Sequence, residues 1–101
     1  GEDESAQKSF EESLRLNTNQ YTAWLGMGLL ARKQSKTDDA IRDLSRAAQL
    51  HPSATGYLEL GRALEQANRR DEALAAYEQA LKLAPDMPEA QRAVDTLRGR
   101  R

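Results

Sequence analysis

Apolar residues recur along this chain at three- and four-residue steps, interrupted by short polar turns. Trp24, Met27, Gly28 and Ala31 fall on one helical face, and Ala40, Leu44 and Ala47 make a matching stripe further on. The pattern predicts six helices over roughly 3–16, 20–33, 37–50, 54–67, 71–83 and 87–98. Turn chemistry marks the breaks. Asn68-Arg69-Arg70-Asp71-Glu72-Ala73 reads as a left-handed turn residue followed by an acid-rich helix start, and Pro52 and Pro85 each stop a helix that proline cannot continue.

The stripes repeat. Gly28 and Gly61 are 33 residues apart, and so are Ala40 and Ala73, Ala47 and Ala80, and Pro52 and Pro85. Trp24 steps onto Tyr57 and Leu44 onto Tyr77 in the same register, while a step of 34 backwards carries Ala40 onto Ala6 and Leu44 onto Phe10. So many coincidences in one register define a structural repeat of two helices. Within it the helical glycine costs about 1 kcal/mol of propensity relative to alanine, which implies that a neighbouring helix approaches closely there.

The runs Trp24-x-x-Met27-Gly28-x-x-Ala31 with Ala40-x-x-x-Leu44-x-x-Ala47-x-x-x-x-Pro52, and Tyr57-x-x-Leu60-Gly61-x-x-Leu64 with Ala73-x-x-x-Tyr77-x-x-Ala80-x-x-x-x-Pro85, resemble the tetratricopeptide repeat. The resemblance implies an all-α fold, a right-handed superhelical stack of antiparallel helix pairs with about six helices. The expected division is a second helix of a cut repeat over 1–19, full repeats over 20–52 and 53–85, and a capping helix with a basic tail over 86–101. Two departures from the pattern are Ala31, where the family usually has tyrosine, and a one-residue shortening of the second full unit.

At the start, Gly1 falls in the turn between a unit's two helices or is a remnant of expression. Phe10, Leu14 and the facing side of helix 20–33 are expected to expose apolar surface suited to self-association. At the other end, Asp86-Met87-Pro88-Glu89 reads as a capping box with proline in the first turn. Ala90, Val94 and Leu97 form an apolar stripe, whereas polar Gln91 and Asp95 occupy the slots of Trp24 and Gly28, as in a solvating cap helix.

Composition narrows the chemistry. Hydrophobic residues make up 39% and charged residues 31% of the chain, the net charge is −1, and there is no cysteine. That removes disulfides, thiolate metal sites and cysteine nucleophiles, and gives no overall field to recruit nucleic acid. No apolar run approaches the roughly 18 residues of a membrane span, so no insertion by this segment is expected. His51, the single histidine, precedes Pro52 in a turn and lacks a second histidine for a metal pair. Acidic groups cluster in expected first turns, where the helix dipole accounts for them. The basic run Arg98-Gly99-Arg100-Arg101 has no interleaved aromatics for base stacking and reads as cations at a helix C-terminus. No catalytic constellation and no cofactor site emerge. The compartment stays open between cytoplasm and periplasm.

What remains is partner binding. In tetratricopeptide arrays the first helices of successive units line a concave surface that takes a protein or peptide ligand. Carried over by slot, that lining is Thr22, Leu25, Leu29 and Arg32, then Thr55, Leu58, Arg62 and Glu65, then Glu89 and Arg92. The alternative for Leu25 and Leu58 is packing against neighbouring helices. Some relatives clamp a chaperone's C-terminal carboxylate with Lys, Arg and Asn in these slots, but Leu25, Leu29 and Leu58 replace those donors here. The reading is therefore a non-catalytic interaction module. Its rivals are a self-associating scaffold segment and a regulatory appendage of a larger enzyme such as a glycosyltransferase.

Overall fold

The computed structural model describes residues 1–16 and 20–99. It divides into two compact units, Gly1–Pro52 and Ser53–Arg101. The first holds α1 (Glu2–Leu16), α2 (Tyr21–Lys33) and α3 (Thr37–Leu50). The second holds α4 (Ala54–Gln66), α5 (Arg70–Leu83) and α6 (Pro88–Gly99). Every observed boundary lies within one residue of its predicted place.

In the first unit the contacts between α2 and α3 run in opposite senses along the two helices. Gly28 meets Leu44, Trp24 lies under the guanidinium of Arg46 at 5.4 Å, and the Tyr21 ring is 4.6 Å from that of His51. Toward the start of α2 the partners lie ever later in the chain, so the pair is antiparallel. The glycine is required: a Cβ on Gly28 would sit 2.5 Å from Leu44 Cγ and 3.1 Å from its backbone nitrogen. α1 packs on α2 in the same fashion, with Phe10 against Gly26 and Asp3 ion-paired to Lys33 at 2.9 Å. The second unit reuses the device one repeat later. A Cβ on Gly61 would meet Tyr77 Cε1 at 2.6 Å, and Ala73, Ala76 and Ala80 are buried along α5. On α6, Ala90, Val94 and Leu97 are buried, while exposed Gln91 donates to Asp95 at 2.9 Å.

The helix ends have local causes. α2 and α4 both finish in a residue with positive φ, Ser35 at 61° and Asn68 at 62°. In each turn two backbone bonds wrap the end: Ser35 N to Arg32 O and Lys36 N to Ala31 O, then Asn68 N to Glu65 O and Arg69 N to Leu64 O. This Schellman arrangement satisfies the last carbonyls and reverses the chain in a few residues. Ser53 caps α4 by accepting from Gly56 N at 3.0 Å. α3 and α5 stop two residues before Pro52 and Pro85.

Two expectations need correction. Leu14 is buried and so takes no part in an exposed apolar face, while the Phe10 ring, set beside Gly26, is half-buried. The large apolar side chain left open on α1 is Leu16, 74% exposed. The capping box is also out of register. Gln91 N bonds to Met87 O, which makes Met87 the residue before the helix and Pro88 its first member, with Asp86 one place too early to cap. Arg100 and Arg101 of the basic tail lie outside the described residues.

Candidate partner-binding face

Four of the expected contact residues stand on α2. Steps of three, four and three residues put Thr22, Leu25, Leu29 and Arg32 on successive turns of one side. Thr22 is exposed, and Leu25, Leu29 and Arg32 are half-buried, while Ala23, Gly28 and Ala31 elsewhere on the helix are buried. The helix thus spends its smallest residues on packing and keeps Leu25 and Leu29, like Leu30, partly open. Trp24, on the packing side, is held under Arg46 in a cation–π contact.

The α4 set behaves differently. Thr55 and Arg62 are exposed and Glu65 is half-buried, but Leu58 is only 5% exposed. The expectation that Leu58 lines an open surface is therefore corrected: its side chain is spent on packing. The polar members are already engaged within the unit. Arg62 Nη1 lies 2.6 Å from Glu59 Oε1, and Glu65 Oε1 accepts from the hydroxyl of buried Tyr77 at 2.6 Å. Each charge thus already has a partner within its unit. Glu89 and Arg92 of α6 are exposed.

Two buried carboxylates were not anticipated, Asp43 and Glu59. Burial pushes the Asp43 carboxyl above the usual carboxylate range, opposed by the neighbouring Arg42. A signal existed for both. Thirty-three residues from Asp43 stands Ala76, and thirty-three from Glu59 stands Gly26, so each acid departs from its counterpart. His51 is exposed in its turn, its ring against Tyr21. Among the described residues no three His, Asp or Glu side chains gather as a metal site, and no helix is long and apolar enough to cross a membrane.

Comparison with known proteins agrees with this geometry. A sequence profile of the tetratricopeptide repeat matches residues 4–55 and 25–88. Anaphase-promoting complex subunit 3 of Schizosaccharomyces pombe is 31% identical over 81 residues, which are 79% of this chain and 12% of that protein. The chain thus spans a small part of the length of its curated relative. Among solved structures, the Arabidopsis OM64 TPR domain superposes with a TM-score of 0.91 at 25% identity, covering 99% of this chain and 84% of that one. The first TPR of Spaghetti (RPAP3), bound to an HSP90 peptide, gives 0.90 at 20% identity over 97% and 79% of the two chains, a likeness of fold.

Proposed function

Because this chain belongs to the tetratricopeptide-repeat family, we propose that it is a non-catalytic module that holds a protein partner on the first-helix faces of its units. In the first unit the contact set is Thr22, Leu25, Leu29 and Arg32. In the second it is Thr55, Arg62 and Glu65, with Glu89 and Arg92 on α6. The observation that carries the reading is the partial exposure of Leu25 and Leu29 on a helix whose alanines and glycine do the packing. An extended or helical segment with one or two apolar anchors and flanking polar groups fits such a face. A curated relative that is by name a subunit of a multi-chain complex supports the same role.

The test is selection from a displayed random-peptide library on the whole chain. Recovered peptides should share apolar anchors and lose about tenfold or more in affinity on Leu25→Glu, with helicity unchanged. Peptides that bind the variant as well as the parent would refute the assignment of this face.

A further inference from the structure

One row of positions on the second helix of each pair is sealed in two places and open in a third. Ala40, Leu44 and Ala47 on α3 and Ala73, Tyr77 and Ala80 on α5 are at most 1% exposed. α2 closes the first row where Gly28 meets Leu44, and α4 closes the second where Gly61 meets Tyr77. Thirty-four residues before the α3 row stand Ala6, Phe10 and Ser13 of α1, and all three are only half-buried. Leu25 and Leu29 of α2 border the same opening. Gly26, which carries the Phe10 ring, is the chain neighbour of Leu25 and stands three residues before Leu29. The first unit thus keeps a strip of apolar surface in water, made by two adjacent helices.

The two helices are oppositely charged. α1 has five acids against Lys8 and Arg15, a net charge of −3, and α2 has no acid, with Arg32 and Lys33 giving +2. The charges are matched end to end as well. The acidic first turn of α1 stands at the basic last turn of α2, where Asp3 holds Lys33. Glu2 precedes Ala6 by four residues and so lies on the open side of α1. On α2, Arg32 lies one turn beyond Leu29 on the same side. A face with an acidic and a basic helix side by side is complementary to itself. Rotating a copy by half a turn about an axis along the helices sets each α1 against the other copy's α2, acidic end to basic end.

We propose that the first unit pairs in this way with the first unit of a second copy of the chain. Leu25 and Leu29 of each copy pack against Ala6, Phe10 and Ser13 of the other, and Glu2 faces Arg32. Apolar burial holds the pair together, and the crossed charges at its rim set partner and register more than they add affinity. Helices of 15 and 13 residues span about 20 Å, so the contact is small and the dimer is weak. This inference rests on the reading of the α2 face as a docking surface and names its occupant. The α1 row is what it adds. Any other ligand of that face then has to displace the second copy.

Sedimentation equilibrium of the whole chain from micromolar to millimolar concentration, at low and high salt, tests this. A reversible monomer–dimer equilibrium should form, weaken with salt and grow no further, because a two-fold contact closes on itself. Leu29→Glu and Ser13→Arg, with helicity checked by circular dichroism, should each raise the dimer Kd about tenfold or more. Glu2→Lys and Arg32→Glu should each weaken the dimer about fivefold when alone. An equimolar mixture of those two variants should dimerise again, since both crossed pairs are then restored. A chain that stays monomeric, a dimer indifferent to Leu29→Glu, growth beyond the dimer, or a mixture no better than its components would overturn the proposal. A monomer whose selected peptides still depend on Leu25 would overturn the second copy and leave the α2 face a docking surface for another protein.

Discussion

The ring of Tyr77 lies where a side chain on residue 61 would begin, 2.6 Å from the position a Cβ would take on Gly61. Gly28 stands in the same relation to Leu44, and a Cβ there would also come within 3.1 Å of Leu44's backbone nitrogen. Alanine would gain up to about 1 kcal/mol of helix propensity at either site, but overpacking costs about 1–3 kcal/mol, and the clash wins. Gly61→Ala and Gly28→Ala should both lower the urea midpoint, by the equivalent of about 1–2 kcal/mol. Gly28→Ala should be the worse, because backbone cannot turn aside as a ring can. Gly56→Ala, which meets only the Ser53 hydroxyl at 3.0 Å, should be near neutral. Equal losses at all three sites would refute close approach as the reason for the glycines.

Tyr77→Phe removes the hydroxyl that donates to Glu65 and keeps the ring over Gly61. A hydrogen bond to a charged group is worth about 1.5–3 kcal/mol when buried, but half-buried Glu65 can turn to water. The expected loss is about 1 kcal/mol. Thermal unfolding of the variant would measure it, and an unchanged midpoint would show that the bond contributes nothing net.

Ser35 holds a left-handed backbone that costs an ordinary residue about 1–2 kcal/mol. Glycine avoids that strain but surrenders more entropy on folding, about 0.5–1 kcal/mol. Ser35→Gly should therefore raise the urea midpoint by the equivalent of about 0.5–1 kcal/mol. Asn68→Gly should gain less, since asparagine already tolerates this region. A loss of stability at Ser35→Gly would mean that the serine side chain has a role of its own.

Asp43 gives a pH signature. Folding raises its pKa, so between the unfolded and folded values the native chain keeps a proton the unfolded chain has released. Stability falls as pH rises through that window, and the full cost persists above the folded pKa. Asp43→Asn should accordingly be more stable than the parent at neutral pH. The advantage should shrink as pH falls and vanish below the unfolded pKa. Denaturation midpoints taken across the acid range decide it, and an advantage that grows on acidification would contradict the assignment.

The helices could be read in the sequence because their ends are set by local chemistry. Pro52 and Pro85 stop α3 and α5 in the chain itself, and Asn68 marks a left-handed turn wherever it is placed. Ser35 forms the same turn with no such signature. Its place is evident only from Asn68, one repeat later. Side-chain fates were harder to read. Leu25 and Leu58 occupy equivalent slots, yet one is half-open and the other buried, because burial depends on what neighbouring elements bring to each site. Phe10 was expected on an open face rather than half-buried for the same reason: Gly26, which admits its ring, has no glycine at the matching position 59 to mark it as part of the repeat.

Ala31 and Asp43 stand 33 residues before Leu64 and Ala76, and that difference should also set the two units apart in how firmly they stay folded. A cavity of about 90 Å3 between α2 and α3 forfeits dispersion contacts, and the buried carboxylate of Asp43 adds a penalty that the second unit escapes at that position. Amide protons of α2 and α3 should therefore exchange through openings of lower free energy than those of α4 and α5. The face bearing Leu25 and Leu29 sits on that softer unit. Capture of a partner there would be felt as a quieting of the first unit's motion, measurable as slowed hydrogen exchange well away from the contact itself.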